Sequence, residues 1–222
     1  MQTRSFTLPA FAVLALLALA GEADAQSKSP RPQSGIAAHR PAEQALHAMR
    51  IAPSYDFQDG NAALQDDIVF PIFDGRDTVV VPAGFVTDYA SIPRTLRRLL
   101  HGNHNRPAIL HDYLYWRQCD QSLADQIFRD ELEAMGIPAL KRKAMYVAVR
   151  LFGSRAHAGN RRERDAHLPR IIPADYLPPP IGDWPPFRKA LRDALVPLDA
   201  MASRPPPDCP VRPKPPLDDG SS

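Results

Sequence analysis

The sequence predicts an α+β domain: a small antiparallel β-sheet made of hairpins, then a cluster of three to four short helices. A disordered N-terminal linker and a proline-rich C-terminal tail are expected to flank it. Three observations carry this. β-branched and aromatic residues crowd into 68–87, punctuated by turn residues. Apolar residues at helical spacing appear only after that stretch. Strands precede helices instead of alternating with them, which separates the chain from parallel, doubly wound folds.

The first element is a targeting segment. Arg4 supplies a positive start, Leu8 to Ala20 form an apolar run, and Ala23-Asp24-Ala25 precedes Gln26 as a small-x-small cleavage site. Residues 1–25 are therefore read as a signal peptide cleaved near Ala25/Gln26, and the mature chain as periplasmic or secreted. The apolar run is shorter than the ~20 residues of a membrane span. The signal peptide is then the chain's expected contact with a membrane, before cleavage. Residues 26–44, rich in Ser, Pro, Gln and basic side chains, read as a flexible linker. The domain is placed at 45–172.

Within it, Ile68, Phe70, Ile72 and Thr78 to Val81 read as paired strands, with Asp74-Gly75 as the hairpin turn. Pro82-Ala83-Gly84 is a second turn, after which Phe85-Val86-Thr87 resumes extended structure. Ser91 fits the N-cap of a short helix running past Arg94 to Leu100. A second helix begins near Pro107, with Ile109, Leu110, Tyr113 and Leu114 as its apolar side. A third opens at Ser122 and stops at Gly136. A fourth opens at Pro138 and is expected to stop at Gly153. From Pro173 onward 14 of the 25 prolines fall, which excludes long helices and central strands there. Residues 173–222 are read as a tail outside the core.

A net charge of +2 argues against a dedicated nucleic-acid binder. The basic clusters Lys141-Arg142-Lys143 and Arg161, Arg162, Arg164 read as solvated faces; the competing reading is affinity for an anionic surface. A cell-envelope polymer or protein is the expected partner. Export makes a Cys119–Cys209 disulfide chemically accessible, though spacing alone does not pair them.

The residues that bear chemistry are Asp88, His111, Asp112 and Asp125, each set among apolar neighbours. His111 and Tyr115 share one helix face, Asp112 and Trp116 another. Adjacent His111 and Asp112 diverge by about 100°, so one is expected to face a site and the other to brace a neighbouring element.

Four blocks, "VPAGFVTDYASIPR" (81–94), "AILHDYLYW" (108–116), "ADQIFRDEL" (124–132) and "MYVAVRLFG" (145–153), resemble in order those of a bacterial and phage family known as domain of unknown function 1353. The resemblance runs from about Phe57 to Gly153. It implies that Asp88, Ser91, Arg94, His111, Asp112, Tyr115 and Asp125 are the family's polar motif positions; among them Ser91 and Arg94 are taken here as candidate binding residues. It implies no activity.

Three readings of these residues stay open. His111, Asp88 and Asp125 offer one nitrogen and several oxygens to a divalent metal ion that would acidify a bound water. Without metal, Asp88 or Asp125 would orient His111 as a base, with Asp112 and Tyr115 in support. The third reading is structural: Ser122-x-x-Asp125 is a capping box, and the remaining groups satisfy one another in the core. Two functions follow, an exported hydrolase acting on envelope material or a non-catalytic envelope binding or structural module.

Overall fold

The computed structural model describes residues 53–88, 105–199 and 209–213. The expected signal peptide and linker, Ser91, Arg94 and the short helix around them lie outside the described residues.

The strands are β1 (Ser54–Asp56), β2 (Ala62–Leu64), β3 (Ile68–Ile72), β4 (Asp77–Val81) and β5 (Val86–Thr87). β1, β2 and β5 form an antiparallel sheet in that order, while β3 and β4 form a separate hairpin. β3 shows why its sequence makes a strand: Ile68, Phe70 and Ile72 are buried while Val69 and Pro71 between them are exposed. The expected Asp74-Gly75 turn closes the hairpin, with Phe73, Asp74 and Gly75 all at positive φ.

Gly84 decides what lies beside β5. At φ +77° it brings its backbone against residue 172, and a Cβ there would sit 2.1 Å from the Ile172 carbonyl oxygen. Ile172 N donates to Gly84 O at 2.9 Å, and Val86 N to Arg170 O at 2.8 Å. Residues 170–172 thus pair with the chain around β5.

The helices are α1 (Asn105–Trp116), α2 (Gln121–Ala134), α3 (Ala139–Asp165) and α4 (Trp184–Asp193). Residues 107–116 of α1 are buried at every position, not along one side. α1 is therefore the central helix, and its polar residues His111 and Asp112 are buried within it. α1 and α2 run antiparallel: Tyr115 meets Asp125 near the connecting turn, His111 packs on Phe128, and Arg106 interacts with Glu131 at the far end. α3 does not stop at Gly153. It continues to Asp165 and is not a short helix. No described helix is long and apolar enough to cross a membrane.

The main cluster joins the β3–β4 hairpin to α1, and a second joins α1, α2 and α3 through Phe128, Leu132, Met145 and Val149. A third corrects the expected boundary at 172. Trp184 and Leu191, 4% and 1% exposed, pack with Phe57, Ala63 and Val86. Arg188 anchors α4 further, donating to Pro169 O at 2.7 Å and to Glu163 at 2.9 Å. The prolines of 178–186 lead into a helix whose apolar face completes the core. Pro185 and Pro186 sit in its first turn, where the missing N–H groups need no intrahelical partner. Full burial of a large side chain such as Trp184 contributes about 2–3 kcal/mol, one part of what holds this proline-rich stretch in place.

Candidate functional site

α1 places His111 and Tyr115 one turn apart on the side facing α2. There both meet Asp125, which lies in the second turn of α2 (Gln121–Ala134). His111 Nε2 lies 2.8 Å from Asp125 Oδ1, and the Tyr115 hydroxyl donates to the same oxygen at 2.6 Å. The other carboxylate oxygen accepts from Arg150 of α3 at 3.4 Å. His111 and Asp125 are both 0% exposed, whereas the Arg150 side chain is 44% exposed. One carboxylate of α2 thus gathers partners from α1 and α3, tying three helices together, and its charge is answered by a guanidinium that reaches water. Hydrogen bonds to a charged group contribute about 1.5–3 kcal/mol each, and removing such a partner leaves the buried charge uncompensated.

Tyr115 is held on several sides. Its ring lies 4.0 Å from the His111 ring and edge-on to His157 at 5.2 Å. Burial raises the phenol's pKa, and the Asp125 hydrogen bond raises it further, so the hydroxyl remains a proton donor. Gly153 explains why α3 carries a glycine in mid-helix. A Cβ there would lie 2.2 Å from the Tyr115 hydroxyl and 3.2 Å from Cζ. The helix accepts the ~1 kcal/mol propensity cost of glycine and gains a seat for the phenol. The glycine that the sequence reading takes for a stop signal is a packing notch.

Asp112 turns the other way. Thr87 Oγ1 donates to its Oδ2 at 2.5 Å, a buried bond joining α1 to β5. His111 facing the cluster and Asp112 bracing a neighbour agree with the helical geometry expected of adjacent residues. Thr87, the last residue of β5, therefore addresses α1 directly. The metal reading needs Asp88 beside His111 and Asp125. Among the described residues no group of three or more His, Cys, Asp or Glu side chains is disposed to hold a metal ion. The divalent-ion site expected from Asp88, His111 and Asp125 is therefore not assembled.

The capping box is also replaced. Asp120 is the N-cap of α2, accepting from Leu123 N at 2.7 Å, which leaves Asp125 for the buried cluster. Cys119 and Cys209 are bonded, 90 residues apart in sequence, and Arg212 donates to Gln126 beyond the bridge. Tyr113, Tyr115, Trp116 and Phe128 are core residues. His157 also joins this region, its Nε2 lying 3.0 Å from Cys119 O. Sequence reasoning gives Arg150, Thr87 and His157 no part in the site and takes Gly153 only for a helix end. One signal was available, since Arg150 and Gly153 follow one another at helical spacing near the end of a recognised block.

The network leaves one atom over. Among the described residues, His111 Nδ1 is buried without a hydrogen-bond partner.

The family whose model matches the chain is described as Protein of unknown function (DUF1353), over residues 63–149. The match runs from β2 into α3 and ends one residue before Arg150. No curated protein and no solved structure matches the chain.

Proposed function

We propose that the DUF1353 segment of this chain, residues 63–149, is the core of an exported, non-catalytic binding or structural module. In this reading His111, Tyr115, Asp125 and Arg150 clamp three helices and do not react. One observation carries it: His111 and Asp125 have no exposure, and both carboxylate oxygens already accept from protein donors. A general base must come within about 3 Å of the proton it takes, directly or through one water. A side chain at zero exposure offers no such approach. Export is supported by the Ala23-Asp24-Ala25 cleavage site and by the Cys119–Cys209 bridge, since disulfides persist mainly in oxidising compartments.

The second reading is a metal-free hydrolase acting on envelope material with His111 as base. Its support is His111 Nδ1, which has no hydrogen-bond partner among the described residues and would accept a proton in the tautomer whose Nε2–H donates to Asp125.

Thermal unfolding of His111→Ala and Asp125→Asn, alongside hydrolysis assays on cell-wall fragments and model esters, separates the two. The clamp requires a Tm loss of several degrees in each variant and no turnover by the wild type. Turnover by the wild type that a folded His111→Ala lacks would establish the hydrolase instead.

A further inference from the structure

From Ala139 to Arg162, α3 contains no Asp or Glu and seven Lys or Arg, in a chain whose net charge is only +2. Three of these cations have partners: Arg142 with Glu133, Arg150 with Asp125 and Arg161 with Gln118. Arg155 and Arg162 form no ion pair among the described residues.

The buried side of α3 changes along its length. Before Gly153 it is lined by Ala144, Met145, Ala148 and Val149; from Gly153 on, only Gly153 and Asn160 are buried. At 100° per residue, Leu151 continues the azimuth of Ala144 and Ala148, while the buried side beyond Gly153 has turned roughly a third of a circle away. The side that faces the core upstream therefore emerges into solvent. It carries Leu151 and Phe152, 50% and 42% exposed, then Arg155 and Arg162 on the same stripe, both exposed.

We infer that this emergent face of α3 docks on an anionic phospholipid surface, with Leu151 and Phe152 entering the headgroup–acyl boundary and Arg155 and Arg162 meeting lipid phosphates. The charge is complementary to anionic headgroups and unopposed by any acid in that stretch of helix. A soluble polyanion would satisfy the arginines but leave both apolar side chains in water, whereas a bilayer takes up both chemistries along one helix face. The inference rests on the reading of the chain as a binding module and names its partner.

The test is co-sedimentation of the mature, disulfide-bonded chain with vesicles of phosphatidylcholine alone and of phosphatidylcholine mixed with phosphatidylglycerol. Partition to the mixed vesicles is expected, weakening with salt. Arg155→Gln with Arg162→Gln should weaken it roughly thirty-fold, taking ~1 kcal/mol for each cation near the surface. Leu151→Ser with Phe152→Ser should weaken it comparably while leaving the melting curve close to wild type, since both residues are exposed. Folded wild type that ignores the mixed vesicles overturns the inference, as does equal binding to neutral vesicles. Binding that survives Leu151→Ser with Phe152→Ser and is competed by soluble polyphosphate overturns it in favour of a polyanion. None of these outcomes bears on whether His111 reacts, which the hydrolysis assay decides separately.

Discussion

Replacing Gly153 by Ala is the most informative single change. Helix propensity alone favours it: alanine in a helix interior is better than glycine by about 1 kcal/mol. The geometry opposes it more strongly. The new Cβ would lie 2.2 Å from the Tyr115 hydroxyl, so the phenol must retreat by about 1 Å to reach ordinary contact distance. A shift of that size breaks the 2.6 Å bond to Asp125, a charge-assisted bond contributing about 1.5–3 kcal/mol. Overpacking adds about 1–3 kcal/mol. After the propensity gain, the expected net loss is about 2–5 kcal/mol, read from urea unfolding followed by far-ultraviolet circular dichroism. The decisive comparison is the same substitution in a Tyr115→Phe background. There the hydroxyl is gone and only the milder contacts, 3.2 Å to Cζ and 3.3 Å to Cε2, remain. The two losses should then fall short of additive by about 1–3 kcal/mol. A stabilised Gly153→Ala, or losses that simply add, would refute the notch and return this glycine to an unexplained position.

Three further outcomes are expected. Burial raises the Glu131 pKa to about 7 against the opposing pull of Arg106, so the folded state keeps a proton that the unfolded chain has released. Stability from this group is present at low pH and fades as pH rises from about 4.5 to about 7, by on the order of 2 kcal/mol after allowance for partial exposure. Glu131→Gln should therefore be more stable than wild type at pH 8 and not at pH 4; a gap independent of pH would contradict this. Breaking the Cys119–Cys209 bridge, which spans 90 residues, by a double Ser substitution should lower stability by up to about 4.5 kcal/mol on a loop-entropy basis, checked by urea midpoint. Trp184→Ala should cost about 3–5 kcal/mol. A domain ending at residue 172 should accordingly melt far lower, and one that melts like the full chain would restore the earlier boundary.

Much of the fold was legible because local chemistry forces it. Alternation in 68–72, the Asp74-Gly75 turn and the glycine after α2 each act within a few residues, and each appears where expected. The divergence of His111 and Asp112 was legible for the same reason, since helical rotation alone sends them to different neighbours. Partners distant in sequence were not. Asp125 reads locally as a capping residue, because Ser122-x-x-Asp125 has that spacing; only the neighbouring Asp120 cap and the arrival of α1 show that its carboxylate is committed elsewhere. Gly153 reads locally as a helix end, because its defining contact is a hydroxyl 38 positions away in the chain.

The division is one of range. By itself the sequence determined the α+β class, the family resemblance, the pair of cysteines and the polar residues that would have to find partners. Tertiary structure alone decided which partners they found. It joined His111 to Asp125 but not Asp88, made one helix central by covering it on all sides, and folded the proline-rich 173–199 stretch back as part of the core. Propensity and turn chemistry act over a few residues, whereas burial is a property of everything that surrounds a side chain. Whether a buried His and Asp meet a metal, a substrate or one another is settled by that surrounding.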